Sequence, residues 1–192
     1  MAQEMGQVAR GARIAVPPLT DRMRRQRTLD QRLIVHFPAL YRLVAGALTR
    51  LSPRSRLRRS MLARTVALVY AAANRRDFEV VFAGMDLDVY EYRPSRDLMP
   101  PDLDAAFYGR AGYLQLWRYW LDAFGDIRWE PEEILDFGEK FLVMTQQRGR
   151  GSGSGVVVSE PVFQLFTVRR GLVVRQEDFL DRSEALEAAR GG

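Results

Sequence analysis

The sequence predicts an α+β fold in which helices precede an antiparallel sheet. Three observations carry this. Apolar side chains recur at helical spacing in the first two thirds of the chain, over 40–51, 62–73 and 113–124. The last third changes to short β-rich segments broken by "DFGEK", "GRGSGSG" and "RRG", which are turn chemistry. Finally, strands follow one another without intervening helices, which argues against a doubly wound parallel sheet.

The elements follow in order. Residues 1–28 hold a Pro-Pro pair, scattered Arg and weak periodicity, and are expected to be a disordered basic tail. Residues 29–58 are expected to form a helical extension. Pro38 suits the first turn of a helix whose apolar stripe is Leu40, Leu43, Val44, Ala47, Leu48 and Leu51. Ser52 is the expected N-cap of the next helix, with Pro53 at its first position. That helix runs to about Asn74 with Leu62, Val66, Val69, Tyr70 and Ala73 on one face, and residues 59–192 are expected to be the main domain. Asp77 is placed to cap a short helix. Residues 86–94 read as a strand, 95–108 as a Pro-rich loop, and 111–124 as a helix carrying Tyr113, Trp117 and Trp120 on one face. Four strands are expected over about 127–136, 139–149, 156–169 and 172–180. Asp181 and Glu184 form a capping-box pattern for a last helix.

Composition narrows the chemistry. The 192 residues include no Cys and a single His, His36. Disulfide and thiolate chemistry are therefore excluded, and a zinc site lacks ligands. No metal or cofactor is expected. Residues 1–64 carry 14 Arg and 3 acids, whereas 65–192 carry 15 Arg or Lys and 21 acids. A basic arm thus precedes a mildly acidic body. The arm points to an anionic membrane surface as a possible partner, against the plainer option that it packs on the domain. Its Arg clusters lack the aromatic interleaving of a single-strand binder, which argues against nucleic acid. "GRGSGSG" lacks the Gly-Lys-Ser/Thr ending of a phosphate loop and is expected to join two strands. No uncharged apolar run long enough to span a bilayer and no signal-peptide pattern are seen, so a cytoplasmic location is expected.

Strand alternation selects the candidate site. On 156–169 the even positions include Glu160, Val162, Gln164 and Phe166, and on 172–180 they are Leu172, Val174, Gln176, Asp178 and Leu180. If these faces point inward, Gln164, Gln176, Asp178 and Glu160 are polar points in an apolar concavity, the composition of a small-molecule pocket. A carboxylate there has a raised pKa and suits acid–base chemistry. Asp178 is thus the candidate catalytic residue, with Gln164 and Gln176 orienting a ligand and Tyr113, Trp117 and Phe166 forming apolar wall. Glu177 is expected to face solvent and Asp181 to cap the last helix.

The stretches "AAANRRDFEVVFAGMDLDVYEYRP", "YGRAGYLQLWRYWLDAF" and "FQLFTVRRGLVVRQEDFLDRSEALEAA" in this order resemble the SnoaL-like branch of the nuclear transport factor two-like superfamily. The resemblance covers about residues 60–190. It implies a curved antiparallel sheet wrapped by helices into a cone with an internal pocket. A small, largely apolar molecule is the expected partner, and a homodimer through the outer sheet face is a further expectation. Members include isomerases, cyclases, hydrolases and non-catalytic binders, so the fold does not fix an activity. The final hairpin of limonene epoxide hydrolase is similar to "RGLVVRQEDFLD". By that resemblance its catalytic aspartate matches Asp178, and its neighbouring pocket positions match Gln176 and Leu180. Its catalytic arginine and second aspartate fall at Gln147 and Gly149, so that pair is missing, which argues against epoxide hydrolysis. Tyr70, Tyr90 and Tyr92 are the phenols available as oxyanion donors. A protein that binds a small, largely apolar molecule is expected, with acid–base chemistry of the isomerase, cyclase or hydratase type left open; the alternative is a non-catalytic ligand-binding or dimeric interaction protein whose basic arm contacts a membrane surface or partner.

Overall fold

The computed structural model describes residues 11–100, 103–153 and 155–191. In chain order the elements are β1 (Ala12–Ala15), α1 (Asp21–Arg25), α2 (Leu29–His36), α3 (Pro38–Thr49), α4 (Arg56–Asn74), α5 (Phe78–Ala83), β2 (Glu91–Arg93), β3 (Phe107–Tyr108), α6 (Gly109–Ala123), β4 (Arg128–Asp136), β5 (Lys140–Arg150), β6 (Val157–Arg169), β7 (Leu172–Phe179) and α7 (Arg182–Arg190). The strands form one sheet, ordered β1-β4-β5-β6-β7-β2-β3 among the described residues. Every pairing is antiparallel except that of β2 with β7. Register shifts that leave Glu132 of β4 and Val174 of β7 unpaired mark bulges, which bend strands and increase their twist. The result is a curved, unclosed sheet with helices against it, the α+β class the sequence predicts.

The two faces of the sheet are buried by different partners. Val143, Val162, Gln164 and Phe166 share the concave side with α4 and α6, whose Val66, Tyr70, Tyr113, Leu116, Trp117 and Trp120 form the main core. Leu142, Phe163 and Leu165 point the other way and are covered by Ala185 and Ala189 of α7. The small Ala side chains let α7 lie close to the strands. Asp181 caps that helix, accepting from the N–H groups of Ser183 at 2.8 Å and Glu184 at 3.0 Å.

Several expectations are corrected. Within the stretch 1–28, residues 11–28 are ordered: β1 pairs with β4, Ile14, Val16 and Leu19 are buried, and Thr20 caps α1. A four-residue strand is too short to register as periodicity. Residues 1–10 lie outside the described residues. The border drawn at 58/59 cuts through α4. Ser55, not Ser52, caps α4, accepting from the Arg58 N–H. The strand read over 86–94 shrinks to Glu91–Arg93, because residues 86–89 turn, with Val89 N–H donating to Asp86 O. Asp77 makes no side-chain cap bond because its carboxylate is held by Arg27 at 2.6 and 2.7 Å. His36 is exposed at the end of α2.

Candidate functional site

The site is built where β6, β7 and β2 lie side by side. Antiparallel register sets Gln164 opposite Asp178, and parallel register sets Tyr92 beside Gln176. The four side chains are buried together with Tyr70 of α4 and Tyr90. Their hydrogen bonds converge on one carboxylate. Tyr92 donates its phenol O–H to Asp178 Oδ2 at 2.6 Å. Gln164 and Gln176 each donate Nε2–H to Asp178 Oδ1 at 3.1 Å. Behind them, Tyr70 donates to Gln164 Oε1 at 2.6 Å and Tyr90 to Gln176 Oε1 at 3.1 Å. Every donor in the chain is oriented toward the charge on Asp178.

No Arg or Lys among the described residues pairs with Asp178. Burial therefore dominates: loss of water pushes its carboxyl from the ordinary value of 3.8 up to about 6, while the bonds from Tyr92, Gln176 and Gln164 pull the other way. The phenols respond in the same sense. Burial, reinforced by the Asp178 charge, pushes Tyr70, Tyr90 and Tyr92 well above the usual tyrosine range. Near neutral pH the carboxylate is mainly ionised yet close to titration, and the phenols remain protonated.

Two cavities lie side by side under the concave face. The smaller, about 60 Å³, is lined by Tyr92, Tyr113, Trp117, Trp120, Trp129, Gln164 and Gln176, among others. The larger, about 170 Å³, lies between α3, α4 and the sheet. Both are bordered by Val69, Tyr70, Val81, Met85 and Phe166. Tyr113, Trp117 and Phe166 thus lie on cavity walls, as do Gln164 and Gln176. Asp178 does not line either cavity. It sits one step behind, reached through Tyr92, Gln164 and Gln176.

Two predicted residues fall away from this group. Glu160 is exposed, opposite Gln147, where β6 has run past the concave core. Leu180 lies beyond the end of β7, half-buried, and lines neither cavity. Strand parity gives the side a residue faces but not how far along the cone it lies. Gln147 is buried and accepts from the Trp129 indole at 3.0 Å, and Gly149 is buried beside Phe124, so no Arg–Asp pair stands at these positions. Arg148 and Arg150 are exposed. Sequence reasoning missed Trp120 as a polar group. It is buried and lines the smaller cavity, and its Nε1–H has no hydrogen-bond partner among the described residues. Its helical spacing showed only that it faces the core.

A curved, unclosed sheet with helices packed against it is the α+β architecture of nuclear transport factor two-like proteins. The SnoaL-like domain model matches residues 66–176, more than half of the chain, and the chain belongs to that family. Solved structures agree in fold. TerC co-crystallised with polyporic acid is 23% identical, with a TM-score of 0.55 over 65% of this chain and 96% of its own. A protein of unknown function from Burkholderia pseudomallei is 21% identical, with a TM-score of 0.55 over 66% of this chain and 95% of its own. A hypothetical protein with a ketosteroid isomerase-like fold from Catenulispora acidiphila, in complex with trimethylamine, is 13% identical, with a TM-score of 0.52 over 66% of this chain and 92% of its own. No curated protein matches the sequence.

Proposed function

We propose that the protein binds a small, uncharged, largely apolar molecule in its cone and performs acid–base chemistry of the isomerase, cyclase or hydratase type. One observation carries this: a lone buried carboxylate, pushed up to about 6, is hydrogen-bonded to a phenol that lines an apolar cavity. Because Asp178 lies behind Tyr92, proton transfer runs through the phenol. Tyr92 oxygen takes a proton from the ligand as its own passes to Asp178. The phenol is regenerated, Asp178 becomes neutral, and the ligand carries the negative charge. A free phenolate is never formed, consistent with the raised pKa of Tyr92. Reversal of the relay at another atom completes an isomerisation; attack of the carbanion on a carbonyl gives an alkoxide that takes the proton back from Asp178 through Tyr92, completing a cyclisation; in a hydration, water replaces the ligand as proton donor to Tyr92, its oxygen bonds to the electron-poor carbon of a conjugated double bond, and the proton returns from Asp178 through Tyr92 to the neighbouring carbon. Small organic molecules bound to TerC and to the Catenulispora protein support a ligand site in this fold.

The test is hydrogen–deuterium exchange of neutral cyclic ketones in deuterated water, followed by NMR. Wild type should exchange the protons next to the carbonyl. Asp178→Asn and Tyr92→Phe should lose about 100-fold or more with the fold retained. An Asp178→Asn protein as active as wild type contradicts the assignment. Binding without exchange in wild type leaves the alternative, a non-catalytic binder.

A second reading concerns the arm. Helices α2 and α3 and their junction leave Leu29, Leu33, Phe37, Leu40 and Leu43 each more than half exposed. Arg32, Arg42, Arg50, Arg54 and Arg56 are exposed nearby in sequence and form no ion pair with a described acid. Exposed apolar side chains with unpaired cations fit an anionic bilayer surface. Co-sedimentation should occur with phosphatidylserine vesicles and fail with neutral ones, and Leu40→Asp/Leu43→Asp should abolish it. No binding to either vesicle, or a dimer that the same variant disrupts, overturns this reading. No described helix is long and apolar enough to cross a membrane.

A further inference from the structure

The larger cavity owes one whole wall to α3, which lies before the residues that match the family. About a third of this chain also lies outside the alignments with the solved structures, which nearly span those relatives' own chains. A helix merely resting on the cone would be loosely attached. This one is fixed at three points. Near its start, Tyr41 packs against Gly84, where a Cβ would come within 3.3 Å of the phenol oxygen. At its middle, Gly46 meets the β6–β7 turn, where Gly171 has φ +83° and a Cβ would lie 2.3 Å from Gly46 N. At its end, Arg58 holds the helix to the sheet. Its Nε and Nη2 donate to Asp136 at 2.7 and 2.8 Å, its Nη1 to the carbonyls of Thr49 and Leu51 at 2.8 and 2.9 Å, and its Nη2 also to Gly138 O at 2.5 Å. The last carbonyls of α3, left open by helix geometry, are thereby satisfied.

The chemistry of the chamber follows from the same contacts. Its lining is almost wholly apolar, and its single charged residue, Arg58, has all five N–H groups engaged. An anionic ligand group would find no free cation there. At about 170 Å³ the chamber is of the size of the ~150 Å³ apolar cavity that stays dry and accepts benzene. It shares walls with the smaller cavity, which the polar residues Tyr92, Gln164 and Gln176 also line.

We propose that α3 and the chamber beneath it form a second compartment of the binding site, which takes the hydrocarbon body of an uncharged ligand while its polar end enters the smaller cavity. The N-terminal extension then selects ligands by size. This rests on the small-molecule reading of the cone, not on the proton relay.

The probe is prodan, a neutral naphthyl ketone whose fluorescence reports an apolar environment. Wild type should bind it saturably at one site. Ala45→Trp fills the chamber from α3 and should weaken binding about tenfold or more. Thr65→Trp fills it from α4 and serves where Ala45→Trp lowers the folded yield. Arg148→Gln, exposed on β5 and away from both cavities, should bind prodan within about twofold of wild type. Absence of saturable binding to wild type overturns the proposal, as does unchanged binding by both filled variants with thermal unfolding intact. Those outcomes leave the deuterium-exchange result untouched, so the compartment and the relay fail separately.

Discussion

Replacing Asp178 by Asn removes the one buried carboxylate in the site that titrates upward, and its effect on stability must depend on pH. In the folded protein the group ionises at about 6, against 3.8 as its ordinary value. The folded state therefore binds the proton more tightly than the unfolded chain. Stability from this group is fully present below about pH 4 and is lost as pH rises through 6. The difference between these two values corresponds to about 3 kcal/mol. Two other carboxyls shift the opposite way, Asp77 through its bond from Arg27 and Glu91 because Arg93 and Arg175 together outweigh its burial, so raw stability curves mix both signs. The difference between Asp178→Asn and wild type cancels those terms. Urea unfolding at a series of pH values supplies it. The Asn variant should gain about 3 kcal/mol relative to wild type between acid and slightly alkaline pH, with the change centred between 4 and 6. A difference that does not vary with pH would refute the reasoning, because it would mean that burial does not disfavour the charge.

Two further outcomes follow from the same geometry. Tyr92→Phe deletes the short bond that favours the ionised form, so the Asp178 midpoint should move above about 6, read as a displacement of the same pH profile; a downward move would contradict the network. Arg58→Met leaves Asp136 buried without its cation and frees the last carbonyls of α3, which should cost about 3–5 kcal/mol in urea unfolding, and a change below about 1 kcal/mol would show that Arg58 does not anchor the helix.

The strands of the last third were readable because turn residues punctuate them and alternation has a short period. The same alternation brought Gln164, Gln176 and Asp178 onto one face, as their shared network reflects. It misassigned Glu160 and Leu180 because parity carries no depth. Tyr92 was seen only as an available phenol. Its partnership with Asp178 depends on β2 pairing in parallel with β7, a contact between segments about eighty residues apart that no local pattern reports. The place of α3 was hidden for a related reason. Its sequence is apolar on more than one side, and only packing shows that Tyr41, Ala45 and Leu48 face the chamber while Leu40 and Leu43 remain exposed. Residues 11–28 were misread because β1 gains its order from β4 rather than from its own four residues.

The measurement that bears most directly on the account is an NMR titration of the Asp178 side-chain carboxyl carbon in the wild-type protein, assigned by its absence in Asp178→Asn. The account predicts an apparent midpoint near 6, with the Tyr92 ring resonances changing in the same transition. A midpoint at or below about 4, the range of a solvated aspartate, would contradict it.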